Sequence, residues 1–180
     1  MKIVKILLAL ILTVIAVVLI AGLFLKKEFH VEREVVINKP KDQVFNYIKY
    51  VKNQDNFSNW NLMDPGMKKE YAGADGTVGF VYKWESANKK VGQGEQSITK
   101  IVEGERMEMS LHFVKPMEGN AQCFMTTEAT GASQTKVKWG FDTKMSYPMN
   151  VAQLFFDMDK EVGNDFQTGL NNLKAVMEKQ

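Results

Sequence analysis

Five apolar residues near the end of the chain constrain the fold most. Val162, Phe166, Leu170, Leu173 and Met177 are spaced by four, four, three and four residues, which sets all five on one face of an α-helix. Asp165, Gln167, Asn171, Asn172, Lys174 and Glu178 fall mostly on its other sides. Such a stripe has to be buried, and what precedes it reads almost entirely as β-strand. Phe80, Tyr82 and Trp84 alternate with Val81, Lys83 and Glu85. Met107, Met109, Leu111 and Phe113 alternate with Glu108, Ser110 and His112. Thr135, Val137, Trp139 and Phe141 alternate with Lys136, Lys138 and Asp142. A period of two is the mark of a half-buried strand. The pattern predicts an α+β fold in which a long terminal helix, beginning near Asn150, lies against a curved antiparallel sheet of about six or seven strands. A sheet wrapped around one helix is expected to leave a cavity between them.

The other end of the chain has a different character. Ile6 to Leu25 is a run of 20 uncharged residues, flanked by Lys2 and Lys5 on one side and Lys26 and Lys27 on the other. As a helix it would extend about 30 Å, the thickness of a bilayer core. The run is long for a cleaved signal peptide, and no clean small-x-small site follows it. The expectation is an uncleaved single-pass anchor over residues 1–27 and a folded domain over residues 28–180. Lysines on both flanks determine orientation poorly. The short N-terminal tail favours placing the domain on the extracytoplasmic side.

Between these ends, His30 to Ile37 reads as a first strand, with Val31, Val35 and Ile37 on one face and Glu32, Glu34 and Val36 on the other. Asn38-Lys39-Pro40 ends it, and Pro40 suits the first turn of a helix carrying Val44, Phe45, Ile48 and Val51. A second short helix or turn covers Gln54 to Trp60, and Asn61 to Gly66 reads as a loop. A short strand is expected from Lys68 to Gly73.

Charge and reactive residues exclude several functions. Four of the 23 basic residues lie in residues 1–27, which hold no acid, so the remainder has 19 basic against 21 acidic side chains, near −2. A nucleic-acid binder shows a basic face instead. The single cysteine, Cys123, permits no intramolecular disulfide, and with two histidines, His30 and His112, it makes no recognisable zinc site. There is no Gly-x-Ser-x-Gly elbow. Val91-Gly92-Gln93-Gly94 lies within a predicted strand with no helix after it, so it reads as a bend or bulge and not as a phosphate loop. His112 falls on the strand face opposite Met109, Leu111 and Phe113, facing water. No catalytic residue, metal site or cofactor is expected.

The aromatic and methionine residues form the candidate binding set. Phe80, Tyr82, Trp84, Met109, Phe113, Trp139 and Phe141 are expected to converge under the terminal helix, where Phe166 sits in the stripe. Gln96, beside Ile98, is the one uncharged polar side chain placed inside. Individually each is ordinary core material. Collectively they suit an apolar ligand, with methionine as adaptable lining and Tyr and Trp as polar tips. Gly163 and Gly169 in the terminal helix point to close approach of helix and sheet, or to a kink that gates the cavity.

This order of elements resembles the SRPBCC superfamily, in particular its polyketide cyclase/dehydrase and lipid-transport branch. The resemblance spans residues 29–178 and rests on Val35-Val36-Ile37-Asn38-Lys39-Pro40, Trp60-Asn61, Val91 to Thr99, Thr135-Lys136-Val137-Lys138-Trp139, Met158 to Phe166 and Gly169 to Lys174, in that order. It implies a START-like helix-grip fold with an apolar cavity, and places Trp60 near the cavity mouth. It does not imply a reaction, because the fold hosts carriers and enzymes alike. Three functions remain open. The leading one is a membrane-anchored module binding a hydrophobic small molecule or lipid. The others are a cyclase or dehydratase on a polyketide-like or isoprenoid substrate, and a structural or chaperone-like module with a filled cavity.

Overall fold

In the computed structural model, which describes residues 2–179, the uncharged run forms helix α1 (Lys2–Phe24). This helix is long and apolar enough to cross a membrane, a property an anchor shares with a signal sequence. Strand β1 (Glu28–Ile37) starts three residues after it, two residues earlier than the sequence predicts. Pro40 ends β1 and caps α2 (Lys41–Ile48), which buries Val44, Phe45 and Ile48. A 3-10 turn (Val51–Asn56) follows, then the short helix α3 (Asn59–Met63). Asn61 to Met63 are therefore helical, where a loop is expected from the sequence. A five-residue helix is too short to show a 3.6-residue period.

Six strands come next: β2 (Lys68–Ala72), β3 (Val81–Glu85), β4 (Gln93–Val102), β5 (Arg106–Lys115), β6 (Gly119–Gly131) and β7 (Gln134–Lys144). With β1 they form one seven-stranded antiparallel sheet in the order β1-β7-β6-β5-β4-β3-β2. From β3 onward each strand pairs with its predecessor, β2 is left as one edge, and β1 closes the series on β7 as the other (Val31 opposite Phe141, Val35 opposite Val137). The parity of the sequence is kept throughout. Val31, Ile98, Met107, Met109, Met125, Val137 and Trp139 are buried on one face, while Lys136, Lys138 and Asp142 face outward.

The last helix, α4 (Met158–Lys179), lies over the β1 side of that buried face. Phe166, Leu170, Leu173 and Met177 of the stripe are buried, and Val162 is half-buried. The helix begins at Met158, not near Asn150. A 3-10 turn (Met149–Leu154) and a short connection occupy the interval. α4 is continuous through both glycines. A Cβ on Gly163 would stand 2.1 Å from the Arg33 guanidinium, and one on Gly169 would stand 2.8 Å from the Trp139 ring. Close approach, not a kink, is what these two glycines provide. Asp159 at the start of α4 holds Arg33 of β1 through paired bonds of 3.0 Å. At the other end, Glu178 accepts from the backbone N–H of Asn38. The helix is thus fixed to β1 at both ends.

Candidate functional site

The inward faces of β2, β3, β5 and β7 meet α3 and α4 in a continuous sequence of ring contacts. Trp139 stacks on Phe166 at 4.8 Å between centroids, and Trp60 of α3 meets both edge-on, at 6.2 and 5.6 Å. Phe166 meets Phe141 at 6.3 Å, Phe141 meets Phe113 at 6.4 Å, and Phe113 meets Trp84 at 6.2 Å. Trp84 touches Tyr82 at 5.7 Å, and Tyr71 of β2 stacks on both Tyr82 and Phe80. Gln96 points inward as expected and donates to the Met109 sulfur. All ten residues of the expected set therefore lie on the concave side.

Burial divides the set. Phe80, Tyr82, Gln96, Met109, Trp139, Phe141 and Phe166 are buried against one another. Trp60, Trp84 and Phe113 are only partly buried, as is Leu111, which the expected set omits. Parity alone would have included Leu111, which lies between Met109 and Phe113 on the same face. Phe57, 5.8 Å from Trp139, was also missed; it sits where a 3-10 turn gives no periodic signal.

The polar groups on this face are few. Tyr82 is raised well above its ordinary value, by burial and then by the nearby Asp55 carboxylate. Asn61 reaches its hydroxyl at 3.4 Å. Burial pushes the Cys123 thiol up to about 12, against a Trp139 Nε1–H that points at its sulfur. Two cations border this face, Lys69 paired with Asp55 and Arg33 paired with Asp159, and the latter pairing holds the Asp159 carboxyl below its usual range. His112 lies on the outer face, with Nδ1 2.9 Å from Asn120 Oδ1, in a shallow depression of about 440 Å³ beside Glu95, Ser97 and Gln122. His30 is also outside, 2.7 Å from Asp142. Neither histidine faces the aromatic side. Among the described residues no three His, Cys, Asp or Glu side chains are grouped to hold a metal.

Two of the half-buried rings, Trp84 and Phe113, share a position in the sheet. Pairing runs Trp84 to Gly94 to Phe113 to Gly119, one row across four strands. Ala121 pairs with Thr143, so the same row continues to Met145, whose N–H bonds the Lys27 carbonyl. The open part of the aromatic face is thus the sheet end at which α1 enters.

A curved antiparallel sheet gripped by a long C-terminal helix defines the helix-grip class. A family model described as polyketide cyclase / dehydrase and lipid transport matches residues 28–178, and the chain belongs to that family, within the SRPBCC superfamily. Solved structures share the fold at low identity. Norcoclaurine synthase from Thalictrum flavum, in complex with dopamine and hydroxybenzaldehyde, is 9% identical with a TM-score of 0.63, over 85% of this chain and 88% of that one. Ara h 8.0201 is 16% identical with a TM-score of 0.57, over 85% and 99%. A protein from Chromobacterium violaceum is 13% identical with a TM-score of 0.58, over 83% and 96%. Comparison with curated proteins finds no match.

Proposed function

We propose that this chain is a membrane-anchored module that binds an apolar small molecule or lipid on the concave aromatic face, with residues 1–27 as anchor and 28–180 as binding domain. The carrying observation is the graded aromatic face: a packed base of Trp139, Phe141 and Phe166, and half-buried Trp60, Trp84 and Phe113 above it. Apolar sites with a few polar tips hold ligands of this kind. The half-buried rings can move aside at little cost, whereas the base cannot. Catalysis receives less support: Asp159, the carboxylate whose pKa is lowered here, is tied up by Arg33, and both histidines lie on the outer face. The bound dopamine and hydroxybenzaldehyde of the Thalictrum enzyme are small aromatic molecules, which agrees with a ligand of modest size.

One observation favours a second reading, a structural module: the buried rings touch each other directly, as in a filled core. The two differ in a binding titration on the full chain in detergent with an apolar fluorescent probe. Binding is expected, weakened about tenfold by Trp84→Ala or Phe113→Ala, the equivalent of roughly 1.4 kcal/mol. His112→Ala is expected to bind as wild type does. A probe that ignores the wild-type chain would favour the structural module, and one that binds the Trp84 and Phe113 variants as well as wild type would put the ligand elsewhere than on this face.

A further inference from the structure

The turn between β7 and α4 is built onto the end of α1. Asn150, fully buried, donates through Nδ2 to the Gly22 carbonyl at 2.7 Å and to the Leu25 carbonyl at 3.4 Å. Gln153 Nε2 donates to the Lys26 carbonyl at 2.8 Å. The Gly22 carbonyl is one of the last four of α1, which a helix end leaves without intrahelical partners, and Leu25 and Lys26 follow directly on that end. Gly22 itself is buried, and a Cβ there would stand 2.5 Å from Val151 and 3.4 Å from the Tyr147 ring. α1 is therefore seated in the domain, not tethered to it. Removing α1 would leave a buried amide without its partner.

The same turn is unusually apolar where it faces away from the domain. Tyr147, Met149, Leu154 and Phe156 are each more than 40% exposed, and Phe155 is 82% exposed. Phe24, the last residue of α1, is 86% exposed. None of this surface covers the sheet, and it is continuous with the end of α1. Only residues 25–27 separate α1 from β1, so the domain cannot swing far from the plane in which α1 ends. Three residues extend about 10 Å at most.

We propose that the exposed side chains of Tyr147 to Phe156 form a membrane-docking surface, inserted at the boundary of the bilayer that α1 spans, and that it sets the half-buried aromatic row of Trp84 and Phe113 towards that bilayer. The proposal rests on α1 being an anchor. A bilayer containing Ile6 to Leu25 places Gly22 near its boundary, and the hydrogen bonds from Asn150 and Gln153 place the turn there with it. Apolar and aromatic side chains are stabilised at that depth, half in the acyl region and half among headgroups. The row containing Trp84 and Phe113 ends at Met145 and Lys27, on the same side of the domain. An apolar ligand would then pass between lipid and protein without crossing water.

The full chain tests this in phosphatidylcholine vesicles. Cys123 is buried and its thiol is held protonated, so a single added cysteine labels selectively. An environment-sensitive dye is placed at Phe155→Cys, and at Ser133→Cys in the β6–β7 turn at the opposite end of the sheet. Lipids brominated in the acyl chain are expected to quench the dye at 155 about twofold or more beyond that at 133, with aqueous iodide showing the reverse order. Equal access of iodide to both positions overturns the docking surface. So does a dye at 155 shielded from both quenchers, which would mean that a second copy or another protein covers it. A carbonate wash separates the two claims: chain released by the wash refutes the anchor and the docking together, while chain retained with a wet dye at 155 refutes the docking alone.

Discussion

Trp139→Ala is expected to lower stability by about 3–5 kcal/mol, the range for a fully packed large aromatic side chain. Trp139 is 4% exposed, and its ring contacts Phe166 face-on and Phe57 and Trp60 edge-on. Gly169 lacks a side chain at the point where α4 closes on that ring, so on that side the helix has none to move into the space. Denaturant titration in detergent would show a lowered midpoint with an unchanged slope. Pairing the change with Phe166→Ala should give a coupling of roughly 0.5–3 kcal/mol, as for residues in direct contact. A loss below about 1 kcal/mol would mean that the base of the aromatic face is loose, and the division into packed base and movable rings would fail. Trp84→Ala, at a half-buried position, is expected to cost less than Trp139→Ala.

That contrast was not legible in the sequence, although both tryptophans were. Alternation put Trp84 and Trp139 on inward strand faces correctly, because a strand has two faces and charges occupy the other. Alternation is silent on position along the strand. Trp139 pairs with Arg33, in the stretch of β1 that α4 covers, while Trp84 sits in the end row that α4 leaves open. Arg33 shows the same limit. Its parity with Val31 and Val35 points it inward, but only the fold brings Asp159 across to meet it.

The start of α4 failed for a different reason. Val151, Leu154, Phe155 and Met158 have the spacing of a helical stripe, with which a helix beginning near Asn150 is compatible. In the structure Val151 packs on Gly22, and Leu154 and Phe155 lie outside the domain. Those side chains belong to the α1 junction and not to the sheet. Periodicity records that a residue is apolar, not which surface it meets.

The two glycines of Val91-Gly92-Gln93-Gly94 predict a bend or bulge, and the sheet shows an irregularity there: the β4–β5 register shifts between Gln93 and Gly94. Gly92→Ala is expected to cost about 2–5 kcal/mol, from two separable sources. Its φ of +66° is a left-handed conformation that costs an ordinary residue about 1–2 kcal/mol. Its Cβ would also stand 2.1 Å from the Lys115 carbonyl oxygen, at the end of β5 and two residues past Phe113. Backbone held in a ladder yields less readily than a side chain, so overpacking should add about 1–3 kcal/mol. Gly79→Ala separates the two sources, because Gly79 has a φ of +91° and nothing within 4 Å of its missing Cβ. It should show the backbone cost alone. Thermal or denaturant midpoints of the two variants, taken side by side, give the difference directly. If Gly92→Ala cost no more than Gly79→Ala, the end of β5 would be free to shift, and the row carrying Phe113 and Trp84 would be a soft lip. If it costs more, that row is held by its backbone, and only its side chains move to admit a ligand.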